Sequence, residues 1–274
     1  MQPGNGSSPE ALLAGEQSFW AEVGEWLWRP LEIPSDGAPA LLIPEGLLFA
    51  LPFCALWVDG GWLGDRHRII ISPSLRHYAD AANRSLENES GLQLFEAPAA
   101  NLPAVHDEVR AISTLLADTS FKLHSPATRE ALLGAPPSRL WHFAGHARFR
   151  CDNPFYSALQ LSDGPVFAAD LRTRRVPVGL ATLSACHSGG GVAAPGEEFA
   201  GFVRSIMEMG ARSVVAALWP VADESTSVWM CEFYKHWLRG AALTDAVFAA
   251  QVHARERWPS PYHWAAFSLF GMEK

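Results

Sequence analysis

The stretch Leu180-Ala181-Thr182-Leu183-Ser184-Ala185-Cys186-His187-Ser188-Gly189-Gly190-Gly191 decides how this chain is read. Leu180–Ala185 is a short apolar run that predicts a buried strand. Two ionisable residues follow it at once, and then three glycines. A second stretch repeats the plan: Leu140-Trp141-His142-Phe143-Ala144-Gly145-His146-Ala147. It too reads as an apolar strand that ends on a histidine among small residues. In open parallel sheets, ligands bind at the carboxyl ends of strands. Small residues there let a substrate backbone come close.

Outward from these two runs the pattern alternates. Strands are expected at Leu92–Glu96, Phe121–His124, Leu159–Leu161, Ser213–Trp219 and His263–Leu269. Helices are expected at Ala104–Ala117, Thr128–Leu133, Glu197–Met209, Glu224–Leu238 and Leu243–Arg257. Alternation of apolar strands with helices predicts an α/β fold, a mainly parallel sheet covered on both faces. Before residue 90, a helix is expected over Glu10–Trp28 and another from Pro73-Ser74 to about Leu86. Short strands are expected at Ala40–Ile43, Gly46–Leu56 and Arg68–Ser72. No repeat of 20–50 residues is visible, so the chain is not itself a solenoid.

Composition sets limits. The 274 residues are 49% apolar and 18% charged, enough to build a large core and to exclude global disorder. The formal charge of −8 argues against nucleic acid as the main partner. The opening MQPGNGSSPE lacks the basic and apolar parts of a secretory signal. The longest apolar run, Leu47–Val58, is interrupted by Pro52 and falls short of the roughly 20 residues of a membrane span. Cys54, Cys151, Cys186 and Cys231 form no CxxC pair, which disfavours a zinc ribbon. A soluble cytoplasmic protein with reduced thiols is expected. Eleven tryptophans imply an aromatic-rich core or a face that something covers. Trp20, Trp26 and Trp28, on the first helix, are the candidates for such a face.

A cysteine and a histidine at two strand ends are the nucleophile and proton-transfer partner of a thiol hydrolase. Taken singly, each has an ordinary explanation. Strand-end cysteines are most often small core residues, and histidines often satisfy backbone carbonyls. His187 adjoins Cys186, but neighbours on an extended segment point opposite ways. His142, four residues before His146, would share its face, yet no fourth ligand completes a zinc site. Gly189-Gly190-Gly191 is not followed by the Lys-Ser/Thr of a phosphate loop. No metal or cofactor is expected.

These residues carry a family resemblance. HFAGHA (142–147) and LSACHSG (183–189) resemble the His and Cys blocks of CHAT peptidases, caspase-like proteins related to separases and caspases. Further resemblance runs through LLIPEGLLFALPFCAL (41–56), SPSLRH (72–77), YSALQLSDG (156–164), GARSVVAALWPVADEST (210–226) and PYHWAAFSLFG (261–271). The resemblance implies a caspase-like three-layer sandwich. It implies a degenerate first half over 13–90 and a catalytic half over 91–274; the Gly-, Ser- and Pro-rich start is expected, from composition, to leave a disordered segment over 1–12. The resemblance implies a cysteine endopeptidase with Cys186 as nucleophile and His146 as its partner. The oxyanion hole would be the backbone N–H groups of Ala147 and Cys186. The family usually has glycine where this chain has Ala147; a left-handed backbone there would cost alanine about 1 kcal/mol.

The segment LWPVADEST resembles the separase segment whose Asp recognises arginine. Asp223 and Glu224 are therefore the candidates for a basic-residue pocket, with Asp152 and Asp163 behind them. The plainer reading is that Asp223 starts a helix. The implied partners are a protein or peptide substrate and an activating protein or domain absent from this chain; direct nucleic-acid or membrane partners are not expected. The family context implies prokaryotic signalling or defence. A catalytically silent interaction module of the same fold is the alternative.

Overall fold

The computed structural model describes residues 9–34, 37–84, 91–97, 104–150, 152–187, 196–221 and 223–273. Twelve strands are among them. They are β1 (Ala40–Leu42), β2 (Trp57–Val58), β3 (Gly61–Trp62), β4 (Ile69–Ile71), β5 (Leu92–Glu96) and β6 (Phe121–His124), then β7 (Ser138–Arg148), β8 (Ala158–Leu161), β9 (Gly164–Phe167), β10 (Val178–His187), β11 (Ala211–Ala217) and β12 (Phe267–Gly271). The helices are α1 (Pro9–Leu27), α2 (Leu75–Ala82), α3 (Ala104–Leu115), α4 (Arg129–Leu133), α5 (Ala168–Thr173), α6 (Gly196–Met209), α7 (Asp223–Leu238), α8 (Leu243–Arg257) and α9 (Pro261–Trp264).

Ten strands form one sheet. Its order is β1-β4-β12-β11-β10-β7-β5-β6, with β8 and β9 extending from β7 as an antiparallel flap. From β6 to β11 all neighbours are parallel. β12 is antiparallel to β11, and β4 and β1 run parallel to β12. The sheet is thus mainly parallel and mixed. Helices cover both faces, with α3, α7 and α8 on one and α2, α5 and α6 on the other. Ser74 starts α2 by accepting the His77 N–H at 3.2 Å, and Thr128 starts α4 by accepting that of Ala131 at 3.1 Å.

Three expectations need correction. Gly46–Leu56 is not a strand but two 3₁₀ turns, Gly46–Ala50 and Phe53–Ala55. Pro52 lacks the N–H that a ladder needs, so the chain coils and buries Phe49, Phe53 and Leu56. His263–Leu269 splits at the Ser260-Pro261 helix start into α9 and a later strand, β12. Trp20 and Trp26 of α1, and Trp28 just after it, do not share a face. Trp28 is buried, edge-on to the His67 ring at 5.0 Å, and Trp20 packs against the core; of the three, only Trp26 stands in solvent, 76% exposed.

Candidate active site

β7 and β10 lie side by side at the centre of the sheet. Their register pairs Leu140 with Leu180, His142 with Thr182, Ala144 with Ser184 and Cys186 with His146. Both residues of the expected dyad therefore stand at one register position, at the carboxyl ends of adjacent parallel strands. Neighbouring strands lie about 4.8 Å apart. His187 pairs with Ala147. The side chains of Cys186 and His187 lie outside the described residues, as do Ser188 to Gly191 and all of Cys151.

Gly145 explains part of the histidine motif. A Cβ there would meet the Ala97 carbonyl oxygen at 3.0 Å and the Ala97 Cβ at 2.9 Å. The end of β5 passes directly over Gly145, and the Ala97 N–H donates to the Ala144 carbonyl at 2.9 Å. Glycine at this step brings three strand ends together beneath His146. The expected strain at Ala147 is not found. Ala147 is buried inside β7, pairs with both β10 and β8, and is not among the described residues of positive φ. An extended alanine carries no left-handed penalty.

Below the strand ends lies a buried polar cluster. Ser184 Oγ donates to Glu108 Oε2 at 2.8 Å. His142 Nδ1 lies 2.9 Å from both Thr182 Oγ1 and Tyr234 Oη, and those two hydroxyls also bond each other. His142 Nε2 and Glu108 Oε1 stand 3.4 Å apart, within ion-pair reach. They are not aligned as a hydrogen bond, and neither atom has a hydrogen-bond partner among the described residues. His142, Thr182 and Tyr234 are fully buried, and Glu108 is 4% exposed. Burial pushes the Tyr234 phenol well above its ordinary pKa, against the Thr182 hydrogen bond, and the Glu108 charge adds to it. Tyr234 is thus a neutral hydroxyl at physiological pH. Cys231 on α7 is also raised, by burial first and then by the charge of Glu108.

Sequence reasoning missed Glu108 and weighed His142 only as a metal ligand. One signal was available. Val105, Val109 and Ile112 form the buried stripe of α3, continued by Leu116 just beyond it, and Glu108 stands on it at a place where an apolar residue is expected. A second buried carboxylate, Glu96, ends β5 beside Ala144 and is met by His106 Nδ1 at 3.0 Å.

The remaining candidates are dispersed. Asp223 is the first residue of α7, shortly after β11, the strand next to β10; its side chain is not described. Glu224 is exposed and ion-paired with Arg257. Asp152 is exposed and bonded by Arg150 Nε at 2.8 Å, the first cause of its lowered pKa. Asp163 accepts the backbone N–H of Arg129 at 2.8 Å and so ties down α4. Cys54 is buried, bonded by Gln251 Nε2 at 3.3 Å, and burial pushes its thiol up to about 12. No helix among the described residues is long and apolar enough to cross a membrane.

Comparison with known proteins agrees with this architecture. A separase in its complex with securin, from Saccharomyces cerevisiae, superposes with a TM-score of 0.57 at 16% identity, over 81% of this chain and 15% of that one. The complex of Porphyromonas gingivalis RgpB pro- and mature domains gives 0.59 at 11% identity, over 97% of this chain and 70% of that one. These likenesses establish a caspase-like α/β fold. Among curated proteins, tetratricopeptide repeat protein 28 of Mus musculus is 31% identical over 109 residues, 39% of this chain and 4% of that protein. The chain therefore spans only a small part of that relative. A family model described as the CHAT domain matches residues 18–272, nearly the whole sequence, and the chain belongs to the CHAT domain family.

Proposed function

We propose that this chain is a cysteine endopeptidase. The observation that carries the reading is the pairing of Cys186 with His146 in register at the carboxyl ends of adjacent strands. Membership of the CHAT family and a fold shared with separase and RgpB support it. In this reading the catalytic half is 91–274, and 13–90 is the degenerate half that lends β1 and β4 to the sheet.

The Cys186 thiolate attacks the carbonyl carbon of the scissile peptide, forming a C–S bond. The oxyanion of the tetrahedral intermediate is held by the backbone N–H groups of Cys186 and Ala147. The C–N bond then breaks, and His146 gives the departing amine its proton. His146 next takes a proton from water, which attacks the thioester. The carboxylic acid leaves and the thiolate is restored.

Asp223 is the proposed carboxylate for a basic residue before the cut, since a guanidinium wants a paired acid. Glu224 is the weaker candidate because Arg257 already occupies it. Activity is gated by a partner, a ligand or processing. The separase and RgpB structures that share this fold are themselves complexes with securin and with a pro-domain.

The test is covalent labelling with an arginyl chloromethylketone, with the leucyl reagent beside it. A single adduct mapping to Cys186 by mass spectrometry, absent in Cys186→Ala and His146→Ala, is the expected result. No adduct, before or after limited proteolysis, rejects the peptidase in favour of a silent interaction module. In Asp223→Ala the arginyl reagent should lose its advantage over the leucyl one; equal rates in the parent chain would reject the basic preference.

A further inference from the structure

The outer face of the α6 layer carries a groove rich in arginine. Two adjoining hollows, of about 770 and 760 Å3, run between α2 and α5 and share Phe155, Arg172 and Glu208. Five arginines line them: Arg76, Arg84, Arg172, Arg175 and Arg204. Three carboxylates, Glu45, Asp80 and Glu208, oppose them, leaving a formal +2. With −8 on the whole chain, everything outside the groove carries −10. The positive field is therefore local.

Its charges are only partly answered from within. Glu208 is shared by Arg172 and by His77 Nε2 at 3.5 Å, and Asp80 sits 3.7 Å from Arg76. Arg175 and Arg204 have no ion pair or hydrogen bond among the described residues and are exposed. Burial is the larger cause of the lowered pKa of Arg84, and the guanidinium of Arg175 adds to it against Asp80. The walls are apolar where they are not cationic. Leu75 is 67% exposed, Tyr156 54% and Phe155 46%, with Arg172 stacked 4.6 Å above the Phe155 ring. Exposed rings beside arginines are the residue types that interfaces concentrate.

We propose that this groove docks an acidic, leucine-bearing segment of a partner protein, which supplies the carboxylates that Arg175 and Arg204 lack. Carboxylates interspersed among the arginines favour a peptide with spaced charges over the continuous phosphates of a nucleic acid. The aliphatic wall of Ile43, Pro44 and Leu75 has no use for a base or phosphate but suits a leucine side chain.

The experiment is fluorescence anisotropy with a short labelled peptide repeating Glu-Glu-Leu. Its lysine counterpart Lys-Lys-Leu and an oligouridylate serve as competitors. The expected result is binding of the acidic peptide that weakens with salt and falls about tenfold in the double variant Arg175→Glu, Arg204→Glu. Circular dichroism and the melting temperature of that variant should match the parent, because neither side chain is bonded among the described residues. Four results overturn the proposal: no binding of the acidic peptide, equal affinity in the double variant, preference for the lysine peptide or the oligouridylate, or a dimer in sedimentation that the double variant dissolves.

Discussion

Trp141, Phe143, Ala181 and Leu183 point to one side of the β7–β10 pair and meet Leu171 of α5 and Ile206 and Met209 of α6. His142, Thr182 and Ser184 point to the other side and meet Glu108 of α3 and Tyr234 of α7. The same two strands thus build an apolar face and a polar one, both buried. Burying polar groups costs free energy unless each is bonded, and a buried carboxylate costs most. Here Glu108 Oε1 and His142 Nε2 face each other without a hydrogen bond. A fold selected for stability alone would fill this side as it fills the other. The contrast teaches that the two layers divide the work: α5 and α6 hold the central strands in place, while α3 and α7 surround the proposed dyad strands with dipoles and charge. Local violations of packing rules of this kind collect at functional sites.

The apolar face should give the largest stability change. Leu183 is 6% exposed, and its neighbours already border a small void of about 10 Å3. Leu183→Ala should cost about 2–5 kcal/mol in urea unfolding, from lost transfer energy and a larger cavity. A loss below 1 kcal/mol would mean this side is loosely packed and erase the distinction between the faces.

The polar face should respond less, and through pairs. Glu108→Leu leaves the Ser184 hydroxyl and the His142 ring with fewer partners, for a loss of about 1–3 kcal/mol. Ser184→Ala should then cost less in the Glu108→Leu background than in the parent, the coupling that a double-mutant cycle reads. A stabilised Glu108→Leu protein with zero coupling would show that the cluster is a tolerated ion pair rather than a bonded network.

Much of the fold could be read from the sequence, the division between its two faces could not, and the reasons are physical. The central strands and helices were legible because apolar runs and helical stripes are local patterns. β9 was not, because Gly164 and Pro165 break the strand signal, and only pairing with β8 makes it a strand. The antiparallel direction of β12 is set by how the chain returns through α8 and α9, which no local pattern encodes. Cys186 and His146 were legible as strand-end residues, but their common register is a property of packing. The cluster beneath them stayed hidden because it joins four elements, and Glu108 differs from its stripe by a single charged residue.

The smallest effect separates the faces by pH. His124 lies at the margin of the apolar side, stacked 4.8 Å from Phe95 with Nε2 2.9 Å from Gln93 Oε1. Burial lowers its pKa below the ordinary 6.5, and Lys122 adds to the shift. The folded state therefore disfavours the imidazolium more than the unfolded chain does. Its contribution is intact above about pH 6.5 and is lost as pH falls from there through the lowered folded value. In His124→Asn, the drop in melting temperature between neutral and mildly acidic buffer should shrink, while the melting temperature at pH 8 falls slightly from the lost stacking. Tyr234, the neutral hydroxyl of the polar side, should give no such step, so Tyr234→Phe should shift the whole profile downward without changing its slope. An unchanged acid slope in His124→Asn would move the titration away from the apolar margin, to histidines elsewhere such as His263, whose pKa burial also lowers.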